Sequence, residues 1–362
     1  MKKKVISILL IGAMLATMLV GCGSSDTSDT ADTADTADTA DDSEATTEYE
    51  TLRVMTSPDF NGVLLAYIVE QGWADEIGLE LEIEQYANGT AGNEGLAAGL
   101  WDVGFEGMAY VYGVVNNEAK LVCTSSITTG DTLFVRADSE ILDTQGYNPT
   151  YANVYGDTDS VTDAQILCAV GTSTHQLSLQ YVEKMGVSSD DISIINLDYA
   201  TCVTTFALGE GDIVALPTPY SLQVEEEYGW VAIAEISDFT SSTTDIIVSA
   251  DAYEEKADEI VAFLQLCFRA AEELEADHTL KAEVIYNYYV ECGKETTIEE
   301  CEQEAELRIF VTEEDHIALD YGVAEADAAS FLTEIGQIEA EQEELFNTCI
   351  VDDLWKAAIG VE

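Results

Sequence analysis

The same local pattern is written twice in this chain, 110 residues apart. AAGLWDVGFEGMAY (97–110) aligns without gaps on ALGEGDIVALPTPY (207–220), matching Ala97 with Ala207, Gly99 with Gly209, Asp102 with Asp212 and Tyr110 with Tyr220. Four identities carry no statistical weight, but both copies say the same thing physically. A helix is ended by Gly, a tight polar turn follows, an Asp leads a short buried strand, and a break marks where the strand meets a new helix. In an open α/β sheet that last break is where ligands sit. Two copies therefore predict two lobes of similar build, each offering one edge to a shared cleft. A second echo, FVRADSE from Phe134 and IVSADAY from Ile247, suits two crossover strands joining the lobes.

From Leu52 onward, short apolar runs alternate with amphipathic helices, which predicts an α/β fold with mainly parallel sheets. LRVMTS reads as the first strand, Asp59 as the cap of a helix over 62–74, and LELEIEQY alternates with period two as the next strand. Further strands are expected at 102–105, 119–124, 132–135, 165–170, 192–197, 212–216, 230–234 and 245–249, with long helical patterns from Ala252 to the end.

Charge narrows the partners. With 71 Asp plus Glu against 13 Lys plus Arg, the formal net charge is −58. No basic stripe can form to displace the counterions of a nucleic acid, and an anionic lipid surface is disfavoured for the same reason. The hydrophobic fraction of 47% and the 17 Tyr, 10 Phe and 4 Trp exceed what a disordered acidic chain carries, so most of the length can bury a core.

The N-terminus reads as a secretory signal: Lys2, Lys3 and Lys4, an apolar run over 5–20, then Gly21 and Cys22. At 16 residues that run is near the lower limit for a membrane span, so an uncleaved anchor is the rival reading. LVGC at 19–22 resembles the lipobox of bacterial lipoproteins, whose cysteine is acylated and becomes the new N-terminus. From Gly23 to Glu50 the chain holds ten acidic residues, no basic ones and the repeat TADTADTADTA, the composition of a self-repelling tether or of a plain secretion spacer. Seven cysteines remain: Cys123, Cys168, Cys202, Cys267, Cys292, Cys301 and Cys349. An odd number argues against a complete disulfide framework, although Cys292 and Cys301 could close a small loop. With no CxxC spacing, zinc and redox motifs are unsupported and neither metal nor cofactor is expected.

Four stretches in order, LRVMTSPDFNGVLLAYIVEQGWADEIGLELE from Leu52, GLWDVGFEG from Gly99, AVGTSTHQLSLQYVEKMGV from Ala169 and LGEGDIVALPTPY from Leu208, resemble the substrate-binding lipoproteins of ABC transporters of the nitrate, sulfonate and taurine type. The resemblance spans 52–307. It implies a two-lobed periplasmic-binding-protein-like (type II) α/β fold with a hinge, here followed by a C-terminal helical extension. The expected organisation is a signal peptide over 1–21, acylated Cys22 and tether over 22–50, a first lobe from 51–133 with 244–362, and a second lobe over 134–243. The implied protein is a monomer on the extracytoplasmic face of a bacterial, Gram-positive membrane, held there by lipid alone. It would bind a small molecule and deliver it to a permease. Carried over by position, the ligand loops are Ser57, Asp59 and Phe60; Glu106, Gly107 and Met108; Thr172, Ser173, Thr174 and His175; and Pro219 with Tyr220. Two positions depart from the family's habit: Pro217 stands where Trp is common, and Glu106 where a small hydroxyl residue or Gly is usual.

The residues themselves say more. GTSTH (171–175) follows a strand and opens a helix, so its backbone N–H groups form an anion seat, unless Thr172 or Ser173 is only an N-cap. His175 is either a ligand contact or a satisfied structural histidine. Glu106 is the one acid in an apolar strand-end loop and must meet a donor: a cationic ligand group, a ring N–H or a backbone amide. Facing the helix start, it would give a dipolar cleft suited to an aminosulfonate or an amino-substituted heteroaromatic ring stacked on Phe60 or Tyr220. Arg53, Arg136, Arg269 and Arg308 all fall outside these loops, which argues against an arginine clamp on an anion. The competing classes are an enzyme related to those that build a pyrimidine from vitamin B6 and histidine, and a non-transport surface lipoprotein. No GxSxG, HExxH, P-loop or strand-linked GxGxxG is present to favour catalysis.

Overall fold

The computed structural model describes residues 49–240 and 242–361. The signal sequence, Cys22 and nearly all of the tether lie outside the described residues.

Among the described residues eleven strands form two sheets. The first contains β1 (Leu52–Thr56), β2 (Leu81–Gln85), β3 (Val103–Glu106), β4 (Lys120–Thr128), β10 (Ser242–Val248) and β11 (Arg308–Phe310) in the order β11-β4-β10-β3-β1-β2. The second contains β5 (Thr132–Val135), β6 (Gln165–Cys168), β7 (Ser193–Asn196), β8 (Ile213–Leu216) and β9 (Val231–Glu235) in the order β7-β6-β8-β5-β9. The two orders match over five strands: three parallel strands, then one antiparallel to them, then one antiparallel to that, with β11 added outside β4 in the first sheet, so the sheets are mixed and not mainly parallel as expected. That fourth strand, β10 in one sheet and β5 in the other, is in each case the first strand after the chain crosses between lobes. The second sequence echo falls on these two strands.

The crossings come two residues earlier than 133/134 and 243/244. β5 begins at Thr132 in the second sheet and β10 at Ser242 in the first, because both strands must reach the cleft edge to pair with β8 and β3. The internal echo is also a structural one. Asp102 N donates to Arg53 O at 2.9 Å while Arg53 N donates back to Asp102 Oδ2 at 2.9 Å. Asp212 repeats the exchange with Gln165, at 2.8 and 2.9 Å. Each Asp thus ties the start of one strand to the start of its neighbour. Upstream, the helices Gly89–Ala97 and Tyr199–Ala207 both end before a glycine in the left-handed region, Gly99 at φ 67° and Gly209 at φ 92°.

Both sheets are covered on both faces, so their inner strands read as continuous apolar runs. In the first lobe, one face packs on the helices Val63–Gln71, Ala257–Ala276 and His278–Glu291, and the other on Tyr110–Asn117, Val323–Glu334 and Ala340–Cys349. The expected helix over 62–74 is broken at Gly72, which takes φ 72° and starts a second short helix, Trp73–Ile77. The expected run of helices after Ala252 is interrupted by β11. Its three residues, RIF, are too few to show a period, and they pair antiparallel to the end of β4. The C-terminal helices also reach the second lobe. Gln223 Nε2 donates to Glu300 at 3.0 Å, Thr218 Oγ1 to Glu304 at 3.2 Å, and the His175 ring meets Phe331 edge-on at 5.7 Å. All seven described cysteines are free thiols, so the Cys292–Cys301 loop is not closed.

Candidate functional site

A cleft of about 990 Å³ opens between the two lobes, lined by the strand-end loops of both sheets. This lies within the range of small-molecule sites, at its upper end. From the first lobe come Ser57 and Asp59 after β1, and Glu106, Gly107 and Met108 after β3; from the second come Thr172, Ser173, Pro219 and Tyr220. Those nine expected positions share one cavity.

Three expected positions do not line it. Phe60 points into the core, 1% exposed, and stacks on Phe310 of β11 at 4.8 Å. Thr174 and His175 are buried behind the helix start. A helix turns about 100° per residue, so the residues after Ser173 rotate inward. Thr174 Oγ1 lies 2.9 Å from Thr172 Oγ1, and His175 Nδ1 accepts the Gly171 N–H at 3.3 Å. Burial lowers the His175 pKa, so the ring is a neutral acceptor that fixes the loop and not an exposed cation. Thr172 holds the N-cap position, but its hydroxyl donates to Ala169 O at 2.7 Å and does not cap. The first turn of the helix Ser173–Lys184 therefore faces the cleft without a side-chain cap.

Glu106 dominates the first-lobe wall. It ends β3, is 1% exposed, and neither carboxyl oxygen has a hydrogen-bond partner among the described residues. Burial pushes its carboxyl up to about 8. The room around it is made by the glycine-rich helix Gly89–Ala97. A Cβ on Gly92 would stand 2.0 Å from Met55 Cε and 3.0 Å from Glu106 Oε1, and one on Gly89 would meet Ala109 Cβ at 2.4 Å. Glycine inside a helix costs up to about 1 kcal/mol each. Here it permits a close approach that leaves the Glu106 carboxyl facing the cavity.

Several lining residues gave no sequence signal of a role. Tyr199 opens the helix Tyr199–Ala207 and brings its ring 5.9 Å from Tyr220, supplying a second aromatic where Pro217 replaces the family's Trp. Asp131, on the first crossover, is buried with Oδ2 unpartnered; burial raises its pKa, opposed by Ser173 and Arg308. Arg308 and Lys294 also line the cleft. The expectation that no arginine reaches the site is therefore corrected: Arg308 arrives on β11, far along the chain, by pairing with Thr128 at the end of β4.

Residues 47–286 match the NMT1-like family, two thirds of the chain. The chain belongs to that family. A putative ABC transporter periplasmic binding protein of Brachyspira hyodysenteriae is 28% identical over 275 residues, covering 75% of this chain and 79% of the relative. A putative binding protein of Brucella abortus is 26% identical over 204 residues, covering 56% and 59%. Among solved structures, the periplasmic aliphatic sulphonate binding protein SsuA of Escherichia coli superimposes with a TM-score of 0.66 at 15% identity, over 84% of this chain and 99% of that one. The periplasmic nitrate-binding protein NrtA of Synechocystis gives 0.63 at 13%, over 86% and 89%. At such identities the likeness is one of fold, and the two-lobed architecture is that of periplasmic binding proteins. Among the described residues no helix is long and apolar enough to cross a membrane.

Proposed function

We propose that this protein is the extracytoplasmic receptor of an ABC importer, which closes its two lobes on one small molecule and hands it to a permease without chemistry. The observation that supports this most is Glu106. A carboxyl that is both buried and unpartnered costs free energy unless something else completes its hydrogen bonds. It faces a cavity between two lobes, and a ligand is what would complete them. The relatives' names, an ABC transporter periplasmic binding protein in one case and a binding protein in the other, support the same reading.

The ligand class follows from the walls. Glu106 offers an acceptor, or a donor while protonated, on one lobe. The uncapped helix start at Thr172 and Ser173 offers N–H groups on the other, and Tyr199 with Tyr220 offers aromatic faces. An aminosulfonate or an amino-substituted heteroaromatic ring suits this set, whereas a bare inorganic anion would meet Glu106. A thermal-shift screen over sulfonates, nitrate, aminopyrimidines and aromatic acids tests the reading. Ligand at about 100 times its Kd should add about 2.7 kcal/mol of stability and shrink the scattering radius as the lobes close. No shift from any class, with no compaction, would count against a receptor.

Membrane attachment through Cys22 belongs to the same proposal. Stable retention needs more than one acyl chain, which lipoprotein processing supplies. Cys22→Ala should move the protein from the membrane pellet to the medium; persistence in the pellet would favour an uncleaved helix.

A further inference from the structure

We infer that the C-terminal extension is a two-sided strut that fixes one resting angle between the lobes before any ligand arrives. From one face of the first sheet it holds loop 217–220 through Glu304 and Arg308, and from the other it holds loop 171–175 through Phe331. This goes beyond the receptor reading, and its test needs no ligand, so the two can fail separately.

The first anchor is polar and buried. The Thr218 hydroxyl, on the second lobe, donates to Glu304 Oε1 at 3.2 Å and accepts from Arg308 Nε at 2.8 Å. Glu304 is itself fixed to the first lobe, accepting from Tyr289 at 2.9 Å. A single hydroxyl thus joins the lobes as donor and acceptor together, and moving the loop away breaks both bonds at once. Further along, Gln223 Nε2 donates to Glu300 at 3.0 Å.

The crossover from β4 to β5 is gripped at the same place. Thr129 N and Oγ1 both donate to Leu307 O, at 2.8 and 3.1 Å, and Ser221 Oγ donates to Gly130 O at 2.9 Å. Gly130 sits where nothing larger fits: an added Cβ would stand 2.5 Å from Thr218 Cγ2 and 3.3 Å from Leu307 Cβ. Thr218 and Leu307, from different lobes, press on the connecting chain from two sides. A hinge works through a few residues free to change φ and ψ. Here the backbone at 129 and 130 is bonded to the extension on one side and to the second lobe on the other.

The second anchor lies across the sheet. Helix Ile298–Leu307 shares a core with His278–Glu291, whereas Val323–Glu334 packs on the opposite face. From there Phe331 meets the His175 ring edge-on at 5.7 Å, and Leu179, one turn further along the second-lobe helix, packs against the same cluster. His175 accepts the Gly171 N–H, so this contact reaches the loop that carries Thr172 and Ser173. A rotation about the crossovers that parts the lobes on one face brings them together on the other. One contact alone would act as a pivot; contacts on both faces oppose rotation in either sense. Closure therefore starts from a set angle, with both second-lobe ligand loops already in place.

The test is pulsed dipolar electron spin resonance on the full chain without ligand, with spin labels at Leu100 and Leu208. These are 50% and 84% exposed, one in each lobe, just before β3 and β8. The labels are attached through a keto amino acid, so the native thiols stay unmodified. Wild type should give one narrow distance population. Thr218→Val removes the hydroxyl and keeps a methyl against Gly130; it should at least double the width or add a second population, and Thr218→Ser should restore the wild-type width. Gln223→Glu sets a second carboxylate against Glu300 at a half-buried position, so it should also broaden the distribution, less at high salt. That variant leaves the core intact and keeps the inference falsifiable if Thr218→Val fails to fold. Phe331→Ala should broaden it from the other face. A wild-type distribution that is already broad or bimodal would overturn the strut, as would unchanged widths in Gln223→Glu and every folded Thr218 variant. Broadening that Thr218→Ser fails to restore would overturn the polar anchor.

Discussion

In the second lobe, Asp212 closes the turn before β8 with a backbone bond to Gln165 and stays exposed. In the first, Asp102 makes the same bond at the same place but is buried, and it also takes the Arg53 guanidinium and the Lys256 ammonium, the latter at 2.9 Å. Four residues later the contrast reverses. Glu106 ends β3 as an unpartnered acid, while its counterpart Leu216 ends β8 as buried apolar packing. One strand order thus serves two purposes. At the turn before β3 the first lobe's Asp102 is paired with two cations; at the cleft Glu106 is left without a partner.

The largest effect should come from removing the cleft-edge charge. A carboxyl whose folded pKa is raised contributes stability below its unfolded pKa that is lost as pH rises through the folded value. For Glu106, moving from 4.5 to about 8, the unliganded wild type should therefore lose stability between those pH values, by at most about 5 kcal/mol. Glu106→Gln should remove this loss, so urea midpoints of the two proteins, compared from pH 5 to pH 9, should diverge in favour of the variant. Parallel curves would mean that water or a protein group already satisfies the carboxylate.

Next is the paired charge. Asp102→Ala strands Arg53 and Lys256 and should cost about 3 kcal/mol, less than a fully buried pair because both cations keep some solvent. Asp212→Ala should cost about 1 kcal/mol. Burial acts to raise the Asp102 pKa, but the bonds from Arg53 and Lys256 outweigh it and hold it below the ordinary 3.8. Its contribution is accordingly full above that value and lost as pH falls through the lowered one, so the Asp102→Ala penalty should shrink in acid. Equal costs at the two positions would remove the distinction between the lobes.

The smallest effect is expected at His175. His175→Ala loses one acceptor for Gly171 N and the contact with Phe331, about 1–2 kcal/mol in a melt, while ligand affinity moves by less than about threefold. A larger drop in affinity would return His175 to the binding surface.

Most of the fold was legible in the sequence because its strands are apolar runs bounded by Gly and Asp, and because the echo at 97–110 and 207–220 marks both third strands. β11 was not, since RIF is too short to carry a period and is defined by its pairing with β4. The site was legible loop by loop, as motif position decides which loop faces the cleft. Within a loop it was not, since side-chain direction decides whether Ser173 or Thr174 lines the wall, and packing against Phe310 takes Phe60 away. Arg308 and Tyr199 were invisible for a different reason: long-range topology places them, and no local pattern encodes it.

The account turns on Glu106 meeting a donor from the ligand, and calorimetry tests that most directly. The compound that stabilises the wild type most in the thermal screen is titrated into wild type and Glu106→Gln at several pH values. The predicted result is a loss of about 1.5–3 kcal/mol in the variant, roughly 10- to 150-fold in affinity, as a charge-assisted bond becomes a neutral one. Wild-type affinity should also rise toward pH 8 as the carboxyl ionises, and the variant should show no such rise. Equal affinities, or nitrate or sulfate binding tighter to wild type than to the variant, would contradict the account and make Glu106 a structural residue.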